Sequence, residues 1–251
     1  MIHSAIIMAG GKGTRMGFLT NRNPKCLLKV GGFTILSHLY TQLRILKIKE
    51  IVVATGYLHK KIKKYCKQKL YEDSDNIVNI LGKKIFSNNY PKITLSSSSM
   101  SHSTSQRLLA AKKKIQDDNF IYLYGDTLLK PNFGLLLNNF CKKNFLGIIT
   151  ISNPISNFGI ITTKKKLVTK FEEKKKIKNI WVNSGWMVLN KKIFSYLSNR
   201  LCNFENYLFK ILVKQKKLGY VKNKGLYIPL DKVDDLELAS KVFKKNIKSW
   251  F

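Results

Sequence analysis

The sequence predicts an α/β fold, a three-layer α/β/α arrangement around a mixed, mostly parallel central sheet. Three observations carry that prediction. Short apolar runs such as Ala5-Met8, Ile51-Ala54 and Phe120-Tyr124 stop at or just before glycines, as strands buried on both faces do. Segments with apolar residues at helical spacing alternate with them. After about residue 145 the strand-like segments crowd together with few helices between them.

Taken in order, Ala5-Met8 reads as a buried strand feeding a glycine-rich loop. Ile35, Leu36, Leu39, Leu43 and Ile45 mark a helix over about 34–46, and a basic amphipathic helix follows the next strand over about 59–70. The Asn- and Ser-containing stretch from Glu72 to Tyr90 reads as strand plus loop, Ile93-Leu95 as a strand, and the serines of 96–103 as a loop. A helix is predicted from Thr104 to about Ile115 and another over about 133–141. The later strands fall near 147–151, 159–163, 167–171, 181–189, 219–221 and 226–228. Helices are predicted near 192–197, 204–212 and 233–243. With 251 residues, no internal repeat and no break in composition, one domain over 1–251 is the simplest organisation. Residues 1–145 would form one half of it and 146–251 the other.

The net charge is +32, yet only five of the basic residues are arginine (Arg15, Arg22, Arg44, Arg107 and Arg200). A surface built to read nucleic acid would use more arginine, the residue suited to bidentate phosphate and guanine contacts. Lysines spread along the whole chain read as solvated faces, so no dedicated nucleic-acid partner is expected, although a positive field would steer anionic substrates inward. Cys26, Cys66, Cys141 and Cys202 have no metal-ligand spacing and read as reduced thiols. No signal peptide and no run near ~18 apolar residues is visible, so the expected location is cytoplasmic, with no membrane partner.

Met8-Ala9-Gly10-Gly11-Lys12-Gly13-Thr14-Arg15 leaves a strand and offers backbone N–H groups and two cations to a polyphosphate. It is not a P-loop, since Gly11-Lys12 is followed by Gly13 and Ile6 stands where the first glycine would be. Nor is it a dinucleotide fingerprint, because Met16 takes the third glycine's place and Ala54-Thr55-Gly56 offers no carboxylate at the second strand's end.

The order Ala9-Gly10-Gly11-x-Gly13-Thr14-Arg15, then Pro24-Lys25-x-Leu27, resembles the signature of the sugar-1-phosphate nucleotidylyltransferases. The resemblance implies a Rossmann-like fold of the nucleotide-diphospho-sugar transferase type. It implies a loop that cradles a nucleoside triphosphate, with catalytic roles for Arg15, Lys25 and Asp126. Cys26 replaces the family's second proline in Pro-Lys-Pro. Gly125-Asp126 resembles the family's metal-binding Gly-Asp, and Pro229-Leu230-Asp231 places a second aspartate there, which together imply Mg2+ on Asp126 and Asp231. Phe158-Gly159, Phe171-x-Glu173-Lys174 and Asn183-x-Gly185 resemble the segments around the sugar and its phosphate, implying Gly159, Lys174, Asn183 and Gly185. Thr104-Ser105-Gln106-Arg107 stands where the glucose-1-phosphate cytidylyltransferase branch writes Thr-Gly-Gly-Arg, implying Thr104 and Arg107 at the nucleotide. The ordered set implies a nucleotidyltransferase that joins a triphosphate, CTP favoured, to a sugar 1-phosphate with release of pyrophosphate. Its product would be an NDP-sugar for surface polysaccharide synthesis. The replaced glycines Ser105 and Gln106 leave room for one rival, cytidylyl transfer to a phosphorylated non-sugar, and a second comes from another class, nucleic-acid binding on an inactive scaffold. A homo-oligomer is left open.

Overall fold

A computed structural model describes residues 2–83, 90–156, 158–173, 175–177, 179–197 and 203–251. Along the first half run β1 (Ser4–Ala9), α1 (Leu19–Arg22), β2 (Lys29–Val30), β3 (Phe33–Thr34), α2 (Ile35–Ile45), β4 (Glu50–Thr55), α3 (His59–Gln68), α4 (Leu70–Ile80), β5 (Lys92–Ser97), α5 (Thr104–Lys112), β6 (Asn119–Tyr124), β7 (Thr127–Leu129) and α6 (Phe133–Lys142). The second half adds β8 (Gly147–Ser152), β9 (Ile160–Lys164), β10 (Leu167–Glu172), β11 (Val182–Asn190), α7 (Phe204–Lys214), β12 (Leu218–Lys222), β13 (Tyr227–Pro229) and α8 (Val233–Lys245).

Seven strands form the central sheet in the order β12-β8-β11-β6-β1-β4-β5. β1 lies parallel to both β4 and β6, β4 to β5, and β12 to β8, while β11 is antiparallel to its two neighbours. This is the mixed, mostly parallel sheet the alternation predicts. Its strands alternate between two cores: Ala5, Ile7, Ile51 and Val53 face α2 and the carboxyl-terminal segment, whereas Ile6, Val52 and Tyr122 face α5 and α7. Burial on both sides makes these strands near-continuous apolar runs. Each fully buried Ile or Leu there contributes roughly 1.5–3 kcal/mol. Among the described residues no helix is long and apolar enough to cross a membrane.

The stretch after Glu72 departs from expectation. It is not strand plus loop: α4 occupies it as far as Ile80, and residues 84–89 lie outside the described set. Leu70, Ser74, Ile77 and Val78 form the buried face at helical spacing, and Glu72 and Asp73 favour the first turn by charge. The polar residues that resemble a loop are its solvent side and a buried polar junction. Ser74 Oγ accepts from Thr41 and Arg44, and Arg44 also pairs with Asp75 at 2.6 Å. The predicted helix near 192–197 is a short 3-10 turn, Lys191–Ser195.

His38, fully buried in α2, donates from Nε2 to the Val30 carbonyl at 2.9 Å and packs among the rings of Phe33, Phe243 and Trp250. Burial lowers its pKa to about 4. The folded value lies below the unfolded one of ~6.5, so stability is intact above pH 6.5 and drains away as pH falls toward 4. Between pH 7 and pH 5 the unfolding free energy should drop by about 2 kcal/mol from this group. Urea titrations at both pH values should show that drop, and His38→Gln, which keeps a donor toward Val30, should flatten it.

Candidate active site

Open α/β sheets take ligands beyond the carboxyl ends of their strands, and the cleft lies there. A hollow of about 220 Å³ is lined by Met8, Ala9, Gly11, Gly13, Thr14, Arg15, Lys25, Cys26, Gly125, Asp126 and Asp231. β1 and β6, adjacent and parallel, deliver its two walls, and the Gly125 N–H ties them by donating to the Met8 carbonyl at 3.0 Å. Gly125 is required at that crossing, because an added Cβ would fall 2.4 Å from the Met8 oxygen.

The loop glycines have separate reasons. Gly13 adopts a left-handed φ of 66° as the chain turns into the short 3-10 turn Thr14–Met16. Gly11 has open space where a side chain would stand and lines the hollow. Gly10 faces away from it: a Cβ there would lie 2.8 Å from Arg107 Nε. Arg107 is buried, its Nη2 donates to the Met100 carbonyl at 3.2 Å, and desolvation lowers its pKa.

Charge converges in the cleft. Lys25 Nζ, on a side chain only 11% exposed, donates to Asp126 at 2.8 Å and to Asp231 at 3.0 Å. Arg15 reaches Asp231 at 2.8 Å. The two aspartates are brought together by backbone. Asp126 is followed at once by β7 and Asp231 is preceded by β13, and these two strands pair antiparallel through Thr127–Leu129 and Tyr227–Pro229. The Leu230 N–H closes the ladder on the Asp126 carbonyl at 3.0 Å. No cluster of three or more His, Cys, Asp or Glu that could hold a metal occurs among the described residues. A carboxylate pair sharing one ammonium suits a hard cation that takes its remaining ligands from phosphate oxygens and water.

The other predicted residues lie apart from this hollow. Thr104 Oγ1 accepts from the Phe204 N–H at 2.9 Å and so links the starts of α5 and α7. Gly159 lies against Phe171, whose ring would be 2.4 Å from an added Cβ, at the base of the β9–β10 hairpin. Lys174 lies outside the described residues. Asn183 donates from Nδ2 to the Tyr124 hydroxyl at 2.8 Å and accepts the Gly185 N–H on Oδ1 at 3.1 Å. Gly185, with φ of 86°, carries the Tyr124 ring on its backbone and bulges β11 away from β8.

Sequence reasoning passed over Tyr124, Glu205 and Tyr227. Their pKa values rise chiefly through burial, which disfavours the charged form, with the like charges of Asp126, for all three, and Asp231, for Tyr227, adding to it. An acidic residue opening a helix looks like a dipole partner, which hides Glu205.

The sequence matches the nucleotidyl transferase family over residues 4–227. It is 30% identical to the probable glucose-1-phosphate cytidylyltransferase of Bacillus subtilis (strain 168), with 98% of each chain covered. It is 26% identical over the same shares to the glucose-1-phosphate cytidylyltransferase of Salmonella typhimurium (strain LT2). In fold it is similar to an apo UDP-glucose pyrophosphorylase, with a TM-score of 0.71 and 15% identity, over 98% of this chain and all of that one. Matched by the family model over most of its length and by the Bacillus subtilis relative over 98% of both chains, the chain belongs to the nucleotidyl transferase family, among its sugar-1-phosphate nucleotidyltransferases.

Proposed function

We propose that the protein transfers a cytidylyl group from CTP to a sugar 1-phosphate, with the NDP-sugar serving surface polysaccharide synthesis. The observation that carries this reading is the convergence of Arg15, Lys25, Asp126 and Asp231 on the loop through Gly11 and Gly13. CTP rests on the two cytidylyltransferase relatives.

The reaction is an in-line displacement. A phosphate oxygen of the sugar 1-phosphate attacks the α-phosphorus, the new oxygen–phosphorus bond forms, and the bond to the β-phosphate oxygen breaks, pyrophosphate leaving with the electron pair. The nucleophile is already an anion, so no side chain must remove a proton, and catalysis is positioning plus charge neutralisation. Arg15 would meet charge growing on the pyrophosphate. Lys25 would turn from the carboxylates toward the α-phosphate region. Asp126 and Asp231 would hold Mg2+, which supplies further neutralisation of phosphate charge. The half up to residue 145 would hold the nucleotide, and Gly159, Lys174, Asn183 and Gly185 in the second half the sugar phosphate.

The test is pyrophosphate release with each of the four triphosphates against a panel of sugar 1-phosphates that includes glucose 1-phosphate. CTP with one hexose 1-phosphate should exceed every other pairing. Turnover confined to phosphorylated non-sugars would move the acceptor. Silence throughout, with tight and steeply salt-dependent DNA binding, would overturn the reading.

A further inference from the structure

Apart from the central sheet, β9 and β10 form a two-stranded ribbon of their own. A two-stranded ribbon has no core to bury its side chains in. Its register assigns the faces. Ile161 opposite Phe171 and Thr163 opposite Val168 share one face, while Ile160 opposite Glu172, Thr162 opposite Lys170 and Lys164 opposite Leu167 share the other. The first face is apolar, and Ile161, Val168 and Phe171 are each more than half exposed. Leu167 on the second face is more exposed still, as is Phe158 just before the ribbon. Exposed apolar side chains gathered in this way mark a contact surface.

Cations accompany them. Residues 155–181 hold eight lysines against two glutamates. Lys170 and Lys175 pair with Glu172, but among the described residues no carboxylate pairs with Lys164, Lys165 or Lys166. Those three make the tip, where Lys165 and Lys166 take left-handed φ of 48° and 66°. Asn and Gly relax such a two-residue turn, whereas lysine strains the backbone at both places. The strained turn keeps two cations at the tip, beside Leu167 and Val168.

These features select an occupant. It must be anionic, because the unpaired charges at the tip are all positive. It must also reach both faces, because the successive residues Leu167 and Val168 point to opposite sides of the ribbon. A second copy of this chain carries the same +32 and is repelled. A folded acidic protein covers one face of a ribbon and leaves the other in water. An anionic bilayer surface surrounds what enters it, taking apolar side chains below its headgroups and meeting lysines with phosphate. Such an interfacial contact needs no membrane-spanning helix.

We propose that the β9–β10 ribbon docks on an anionic lipid surface. Ile161, Leu167, Val168 and Phe171 enter the headgroup boundary, and Lys164, Lys165 and Lys166 meet the lipid phosphates. The whole protein should co-sediment with vesicles of equal parts phosphatidylglycerol and phosphatidylcholine, and far less with phosphatidylcholine alone. Leu167→Ser combined with Val168→Ser should weaken that binding roughly tenfold, the scale of two apolar side chains withdrawn from lipid. Lys164→Gln, Lys165→Gln and Lys166→Gln together should weaken it roughly a hundredfold. The same three charges removed from the exposed side of α3, as Lys60→Gln, Lys63→Gln and Lys64→Gln, should cost no more than about threefold, which separates docking by the ribbon from adsorption of a basic chain. The indole introduced by Leu167→Trp should shift its emission to the blue with anionic vesicles, against Trp186 and Trp250 that are already fully buried. Melting temperatures should match the parent's, since every substituted side chain is exposed. Equal losses from the two lysine sets, an unshifted indole, or capture by soluble polyglutamate as tight as by vesicles would overturn the proposal. So would serine substitutions at Leu167 and Val168 that split an oligomer and leave vesicle binding unchanged.

Discussion

Asp126→Asn should lower kcat for pyrophosphate release by at least ~10²-fold, the scale of removing a charge-stabilising group from a preorganised site. The side chain keeps its shape and loses only its charge, so binding geometry survives while neutralisation does not. Folding should barely register the change. Asp126 is 40% exposed at its side chain, and Lys25 retains Asp231 at 3.0 Å when Asp126 no longer bears charge. A melting temperature within a few degrees of the parent, with turnover lost at saturating substrates and Mg2+, is the expected pair of readings. Near-normal turnover would show that no cation on Asp126 assists the reaction.

Lys25→Met should lower turnover to a similar extent and, unlike Asp126→Asn, should also lower stability. The ammonium is almost enclosed, and among the described residues it alone bridges the carboxylates of Asp126 and Asp231. Removing it leaves two half-buried carboxylates facing one another, with Arg15 reaching only Asp231. Breaking a fully buried pair costs about 3–5 kcal/mol. Both acids are about two-fifths exposed, so solvent screening brings the expectation to about 1–2 kcal/mol, or a few degrees of melting temperature at this chain length. Millimolar Mg2+ should raise the melting temperature of Lys25→Met more than that of the parent, because the ion can take the ammonium's place. Equal shifts in the two proteins would show that the carboxylates hold no cation together.

The sheet was legible where strands are buried on both faces. Ile6, Ile7, Val52, Val53, Ile121 and Leu123 leave no polar side to confuse the pattern. α4 was hidden because its buried face includes Ser74 and its surface carries Asn and Asp, residues that elsewhere make turns. β7 was not read at all, since three residues cannot display a period. In the site, Arg15, Lys25, Asp126 and Asp231 could be named because each follows a strand end or turn within an ordered motif. Tyr124 could not, because its bond to Asn183 joins residues that folding alone brings together. The glycine at position 10 was legible as a requirement but not in its cause, since only the packed chain shows Arg107 behind it.

The short ladder between β7 and β13 has a consequence for ion choice. Because hydrogen-bonded backbone ties together the two segments that carry the aspartates, the gap between them can vary little. A rigid gap matches one ionic radius and penalises others, in the way that Mg2+ at about 2.0–2.1 Å and Ca2+ at about 2.3–2.6 Å ask for different cavities. The two jaws would then need almost no reorganisation on loading. Mutations that loosen the ladder while leaving both carboxylates in place would blur the choice between ions before they weaken binding itself.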